Sequence, residues 1–282
     1  MIGGSGLTSR MKEELNPQAR EMADESMVRN LAAQAEAIWP QEQRLFDRYN
    51  LPAHTQILDA GCGTGEISAR LAAMFPHAAI LGIDVVDDHL ARARRTSVDA
   101  GSRVRFENRS IFESGLPDAS FDLVLCRHVL QAIPHADRAV AELVRVTKSG
   151  GWVHLIPEDY LMIHFEPRTL DADDFWSIVP RRFGAALDTD LRIGRKAYGL
   201  LRRLGLSDIT VDYVVVDPLR VPRATFAAIF TAWRDGYADT VSKHAHMSRE
   251  RFLAHFDDMI ATIEDPGFYA VWQVPVVAGR VR

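Results

Sequence analysis

Residues 57–68, ILDAGCGTGEIS, set a short apolar run directly against three alternate glycines, Gly61, Gly63 and Gly65, before a helix-forming stretch. A strand that ends in a turn of positive φ and passes at once into a helix commits the chain to a right-handed crossover and a parallel neighbour. The same alternation recurs downstream. AILGID leads into a helical pattern over residues 87–99, RVRFEN follows, FDLVLCRH leads into a pattern over 136–147, and then comes GWVHLIPE. A helix, IGRKAYGLLRRLGL, precedes ITVDYVVVD, and a final strand lies in FYAVWQVPVVAGRV. The expected fold is α/β: a doubly wound, mainly parallel seven-stranded sheet whose last strand is antiparallel.

The alternation is interrupted in three places, and each predicts a helical cap. Residues 17–50 carry an amphipathic pattern (Met27, Leu31, Ala35, Ile38) that Pro40 is expected to interrupt. Residues 159–190 are too long for a tight loop after the fifth strand. Residues 219–263 carry two apolar stripes after the sixth, Phe226, Ile229, Phe230 and Trp233, then Phe252, Phe256, Met259, Ile260 and Ile263. Residues 51–218 and 264–282 are then the core, and residues 1–16 are expected to be disordered.

Composition excludes some functions. The formal net charge of −5, with both signs interspersed, argues against a nucleic-acid or anionic-membrane partner. Cys62 and Cys126 both sit in apolar segments, which fits a reduced, cytoplasmic protein and offers no zinc cluster. No run approaches the roughly 20 apolar residues of a membrane span, and no apolar signal core opens the sequence.

In an open parallel sheet a ligand lies beyond the carboxyl ends of the strands, where the strand order reverses. Gly61, Gly63 and Gly65 read G-x-G-x-G, one residue short of the dinucleotide fingerprint. Asp59 precedes the first glycine, and Asp84, ending ILGID, is placed to accept from both hydroxyls of a ribose. With GLPDASFDLVLCRHVLQAI and KSGGWVHLIPE, this pattern resembles the class I S-adenosylmethionine-dependent methyltransferases over about residues 56–157. The resemblance implies that Asp59 and the turn Gly61, Cys62, Gly63 and Gly65 hold the methionine moiety, Asp84 the ribose, and Val85 one face of the adenine. Ser110, Ile111 and Phe112 then border the adenine, and main chain near Arg127 accepts from the methionine ammonium. The family often has Asp at the position of Ser110, where this chain offers only a hydroxyl. Asp87 reads as a helix N-cap.

Methyl transfer from a sulfonium is an in-line displacement that depends on alignment and desolvation, and a hydroxyl acceptor also needs a base. The candidates follow the fourth and fifth strands: His128 first, since it directly ends LVLCR, then Glu158, Asp159, Tyr160 and His164. His154, mid-strand, reads as a packed residue. No Asn/Asp-Pro-Pro-aromatic run follows the fourth strand, which argues against methylation of a nucleic-acid amino group. Arg127 at that strand end leaves no carboxylate set for a metal ion. Trp39, Tyr49, Phe165, Phe175, Trp176, Phe230, Trp233 and Tyr237 supply aromatic walls. The expected activity is methyl transfer to oxygen or nitrogen, less readily carbon, of a small, partly apolar or aromatic metabolite, with S-adenosyl-L-homocysteine as co-product. The rivals are a protein or RNA methyltransferase and a binding protein or non-transferase that keeps the sulfonium for its charge. A monomer or homodimer is expected.

Overall fold

The computed structural model describes residues 15–282, without the side chains of Arg20 and of residues 98–100. The disorder expected of residues 1–16 therefore falls almost wholly outside the described residues. The chain enters through α1 (Ala19–Met22) and α2 (Glu25–Glu42), the latter capped by the Asp24 carboxylate, which accepts from Ser26 N at 2.8 Å. Pro40 does not interrupt α2, contrary to the sequence pattern. Ile38, Trp39 and Glu42 around it are buried, so tertiary packing carries the helix to Glu42, after which it tightens into a 3-10 helix, Gln43–Tyr49.

Five strands then form where apolar runs meet turns: β1 (Gln56–Ala60), β2 (Ala79–Asp84), β3 (Val104–Asn108), β4 (Phe121–Arg127) and β5 (Thr147–Ile156). They are parallel, in the order β3-β2-β1-β4-β5. Successive side chains point to opposite faces, so strands covered on both sides are apolar throughout. Ile57, Leu123 and Leu125 pack with Leu71 of α3 (Glu66–Met74) and Leu90 of α4 (Asp87–Thr96). Leu58, Val124 and Leu155 pack on the opposite face with Leu143 of α5 (Ala136–Val146). Asp87 opens α4 as its first residue and Val86 is the N-cap, which corrects the capping role expected of Asp87; its carboxylate accepts from Asn108 Nδ2 at 2.7 Å.

The seven expected strands are joined by an eighth. After β5 the chain forms β6 (Ile163–Phe165), α6 (Ala172–Trp176), α7 (Val179–Ala186) and α8 (Gly194–Arg203), then β7 (Ser207–Val216), α9 (Arg223–His244), α10 (Arg249–Glu264) and β8 (Ala270–Arg280). Strand β8 is antiparallel to β5 on one edge, through Leu155↔Val277, and to β7 on the other, through Val211↔Val277. Its first residues run beyond the end of β5, and β6 fills that open edge through His164↔Val271, satisfying backbone groups that would otherwise lie unpaired.

Helices α2, α6, α7, α9 and α10 share one apolar core with β8, and every residue of the two predicted stripes is buried in it. A buried polar contact also joins this helical layer to the sheet. Glu42, at the last turn of α2 and fully buried, accepts from Arg127 Nε at 2.9 Å and lies 2.8 Å from Arg127 Nη2. Its Oε1 also lies 3.1 Å from His154 Nε2, whose Nδ1 lies 2.7 Å from the Tyr49 hydroxyl. Burial pushes the Glu42 carboxyl up, but the Arg127 and His154 partners outweigh it and hold it below the usual carboxylate range. Removing one partner strands the other charge in the interior. Glu42→Ala is therefore expected to cost about 3–5 kcal/mol of unfolding free energy in urea denaturation, far more than Glu36→Ala on the exposed face of the same helix.

Candidate active site

Strand order reverses between β1 and β4, which have β2 and β5 as their outer neighbours, and the carboxyl ends of β1 and β4 border the site. The turn after β1 takes positive φ at Gly61 (76°), Gly63 (51°) and Gly65 (81°). Gly61 N and Cys62 N donate to the Ile83 carbonyl at 2.8 and 3.0 Å, which folds the turn against the end of β2. The glycines are also required by close packing within the protein. A Cβ on Gly61 would lie 2.4 Å from Val129 Cγ2, and one on Gly63 would lie 2.9 Å from Leu31 Cδ1 of α2. The tight approach therefore comes from protein side chains as well as from whatever the turn cradles.

A cleft follows this turn, bordered by Asp59, Gly61, Cys62, Gly63, Asp84, Val85, Ile111 and Arg127. Asp59 is buried and accepts from Ser68 Oγ at 2.6 Å; burial raises its carboxyl to about 6 despite that bond. The Asp84 oxygens accept from Gly63 N and Val86 N, both at 2.9 Å, and each keeps a further lone pair. Two carboxylates flanking a helix N-terminus and a strip of Val85 and Ile111 fit an ammonium, a ribose and an adenine, the three parts of S-adenosylmethionine. Ser110 and Phe112 do not line the cleft. The Ser110 hydroxyl accepts from Phe112 N at 3.2 Å, and the Phe112 ring is buried in the core beneath, so of the three expected adenine neighbours only Ile111 borders the cleft. The Cys62 thiol is pushed well up, chiefly by burial, and is not a nucleophile.

A second cavity lies beneath the helical layer. Phe175, Trp176, Trp233 and Tyr237 line it, as do Phe252 and Phe256. Trp39 and Tyr49 do not: they pack on the sheet, Trp39 from the last turns of α2 and Tyr49 from the 3-10 helix. Phe165 packs against Phe230 outside the wall. The two cavities share Gln18, Met22, Leu31, Gln34, His128 and Ala132, so they form one chamber with His128 at the junction.

His128 leaves β4 at φ 55°, a left-handed conformation that a side chain adopts at a cost. Its N–H donates to the Ile156 carbonyl at 2.9 Å and its carbonyl accepts from Gln131 Nε2 at 2.8 Å. Its Nδ1 is hydrogen-bonded to Oε1 of Glu158, a fully buried carboxylate. With Nδ1 keeping its proton and donating it to the Glu158 carboxylate, Nε2 carries the lone pair, and Nε2 is buried without a partner. The structure thus makes Glu158 the partner of His128 and not a separate base. Tyr160 lines the aromatic cavity, its ring stacked on Trp176, and its hydroxyl is pushed well above the usual range, mainly by burial. Asp159 is taken by Arg195, at 2.6 and 2.9 Å, and is a structural anchor. His164 is removed from the site: strand alternation in β6 turns it to solvent, 3.9 Å from Asp173. Gln131 and Asn30, both in the chamber wall, escaped the sequence reading because amides carry no motif. Among the described residues no cluster of His, Cys, Asp or Glu could hold a metal ion, and no helix is long and apolar enough to cross a membrane.

The site and sheet define a class before any comparison. Residues 57–151 match the family described as a methyltransferase domain. The chain is 34% identical over 236 residues to a trans-aconitate 2-methyltransferase of Deinococcus radiodurans, covering 80% of this chain and 87% of that one. It is 26% identical over 249 residues to an S-adenosyl-L-methionine-dependent Diels-Alderase of Talaromyces variabilis, covering 85% and 79%. Two further relatives match over 130 and 132 residues, and there the chain spans 45% and 47% of their length. In fold it is similar to the solved phosphoethanolamine N-methyltransferase 2 of Haemonchus contortus with S-adenosyl-L-methionine, with a TM-score of 0.57 at 18% identity, covering 98% of this chain and 60% of that one. The chain belongs to the class I S-adenosylmethionine-dependent methyltransferases.

If the ionised Asp59 holds the cofactor ammonium, affinity for S-adenosylhomocysteine should be constant above pH 7 and fall as Asp59 protonates below about 6, because a neutral carboxyl loses the charge-assisted bond. Calorimetry should show up to tenfold loss per pH unit, as for any single obligatory deprotonation. Asp59→Asn should bind weakly and without that slope.

Proposed function

We propose that the protein methylates a hydroxyl oxygen of a small, largely apolar metabolite, with His128 as general base. One observation carries this reading: His128 Nε2, buried and unpaired, sits where the cofactor cleft meets the aromatic cavity, with Nδ1 held by a buried carboxylate. S-adenosylmethionine supplies an electrophilic methyl carbon on a sulfonium. Asp59 and Asp84 hold that cofactor by its ammonium and ribose, with main chain near Arg127 as a further acceptor for the ammonium. In the chamber, Nε2 accepts the acceptor hydroxyl's proton while Glu158 keeps the ring oriented and balances the imidazolium. The apolar wall excludes water, so the hydroxyl oxygen reacts with methyl and not with solvent protons. An amine arriving neutral needs no such base, which places oxygen ahead of nitrogen.

The cavity also bears on the kind of acceptor. Among the described residues its wall contains no Lys, Arg, Asp or Glu. The acceptor named for the Deinococcus relative, an aconitate, is a polycarboxylate that asks for cationic partners, and this wall offers none. A protein or RNA acceptor is disfavoured by the same enclosed apolar wall. The Talaromyces relative is named for a Diels–Alder reaction. A cycloaddition moves no proton, so an oriented His–Glu pair is idle there and favours methyl transfer here.

The test is incubation with methyl-labelled cofactor and a set of phenols, alcohols and amines, with O-methylated product equimolar to S-adenosylhomocysteine as the expected result. Product without homocysteine formation would favour the non-transferase. His128→Ala should lower turnover by roughly 10²–10⁴ with cofactor affinity retained. Glu158→Gln should act in the same direction by releasing the ring from its tautomer. Full turnover in His128→Ala removes the base role.

A further inference from the structure

Gln131 follows His128 by three residues, on the turn that leaves β4. Its Nε2 donates to the His128 carbonyl at 2.8 Å, which settles which end of the amide is nitrogen. Its Oε1 is left buried with no donor, in a residue only 6% exposed that lines the aromatic cavity. Asn30 of α2, 2% exposed, lines the same cavity and its Oδ1 also lacks a partner. Buried polar atoms are almost always satisfied, and an amide oxygen left bare among the aromatic side chains of an uncharged wall is placed for a donor that arrives with a ligand. The reacting hydroxyl is spent on His128 Nε2, so a bare Oε1 on the same turn calls for a second donor on the same molecule. A carboxylate has no proton to give there and would meet lone pairs.

We propose that Gln131 is a specificity-determining residue whose Oε1 accepts a hydrogen bond from a second hydroxyl or N–H of the acceptor, selecting neutral, multiply hydroxylated ring compounds over carboxylates and over rings with one hydroxyl. The assignment rests on the aromatic cavity being the acceptor site. Gln131 does not border the cofactor cleft, so its Oε1 meets the acceptor and not the cofactor.

Trp176 and Trp233 in the cavity wall give a direct readout that needs no turnover. The full chain, saturated with S-adenosylhomocysteine, is titrated with naphthol, dihydroxynaphthalene and naphthoate while tryptophan fluorescence is followed. Dihydroxynaphthalene should bind at least about tenfold more tightly than naphthol, and naphthoate about tenfold more weakly than naphthol, the sizes expected for one satisfied or violated buried acceptor. In Gln131→Leu the two neutral probes should bind within about twofold of each other, with S-adenosylhomocysteine affinity unchanged. Should the variant fail to fold, the comparison of probes on the unaltered protein decides alone. Equal affinity of diol and mono-ol, which means that water already satisfies Oε1, overturns the proposal. Naphthoate binding as tightly as the diol, or no quenching by either neutral probe, also overturns it. Failure of S-adenosylhomocysteine itself to bind would instead overturn the methyltransferase reading beneath it.

Discussion

The buried contact between Glu42 and Arg127 is the constraint on which the two-cavity architecture depends. It couples the last turn of α2 to the end of β4, and through His154 and Tyr49 it extends to β5 and back to the 3-10 helix. A buried ion pair adds little net stability, because desolvation offsets most of the attraction. What it does is fix position: an apolar α2 could slide on the sheet, whereas a charge in the interior has one acceptable register. That register puts Leu31 against Gly63, and Gln34 at the junction of the two cavities.

The strand-order reversal supplies the other half of the geometry. Because β1 and β4 are neighbours whose connections leave in opposite directions, their ends diverge and leave a crevice. The ends of β1 and β2 furnish the carboxylates Asp59 and Asp84, and the turn after β1 furnishes main chain, to one side of it; the turn after β4 furnishes His128, Val129 and Gln131 to the other. A left-handed residue at the end of β4 aims the imidazole along the crevice, and Glu158, at the end of neighbouring β5, holds it there. Adjacent parallel strands thus bring together an imidazole and a buried carboxylate from segments 30 residues apart. The helical layer lines the far side with a wall that, among the described residues, has aromatic area and no Lys, Arg, Asp or Glu.

Much of this was legible in residues 57–151, where local rules agree with the global fold: short apolar runs alternating with helical patterns, glycines where φ is positive, acids at strand ends. The mainly parallel sheet and the place of Asp59, Asp84 and His128 at its carboxyl edge follow from that pattern, whereas the strand order is a finding of the structure. The pattern misled where tertiary contacts outweighed local preference. Pro40 lies within a helix held by the packing around it, and IHF, read as insertion, pairs with β8 because that strand outlasts β5. Ser110 was placed in the site by position, but its hydroxyl caps its own turn.

Sequence by itself determined the doubly wound sheet, the cofactor turn and the presence of helical caps, because each is written in short-range periodicity and backbone preference. Tertiary structure alone decided which acids and amides face the chamber. Glu158, Asp159 and Tyr160 are consecutive, yet one orients His128, the next anchors Arg195 and the third lines the aromatic wall. Their roles diverge because in an irregular segment the direction of each side chain is set by partners distant in sequence, and no local period records it. The same holds for Asn30 and Gln131, 101 positions apart, whose unpaired oxygens meet in one cavity only after α2 has docked on the sheet.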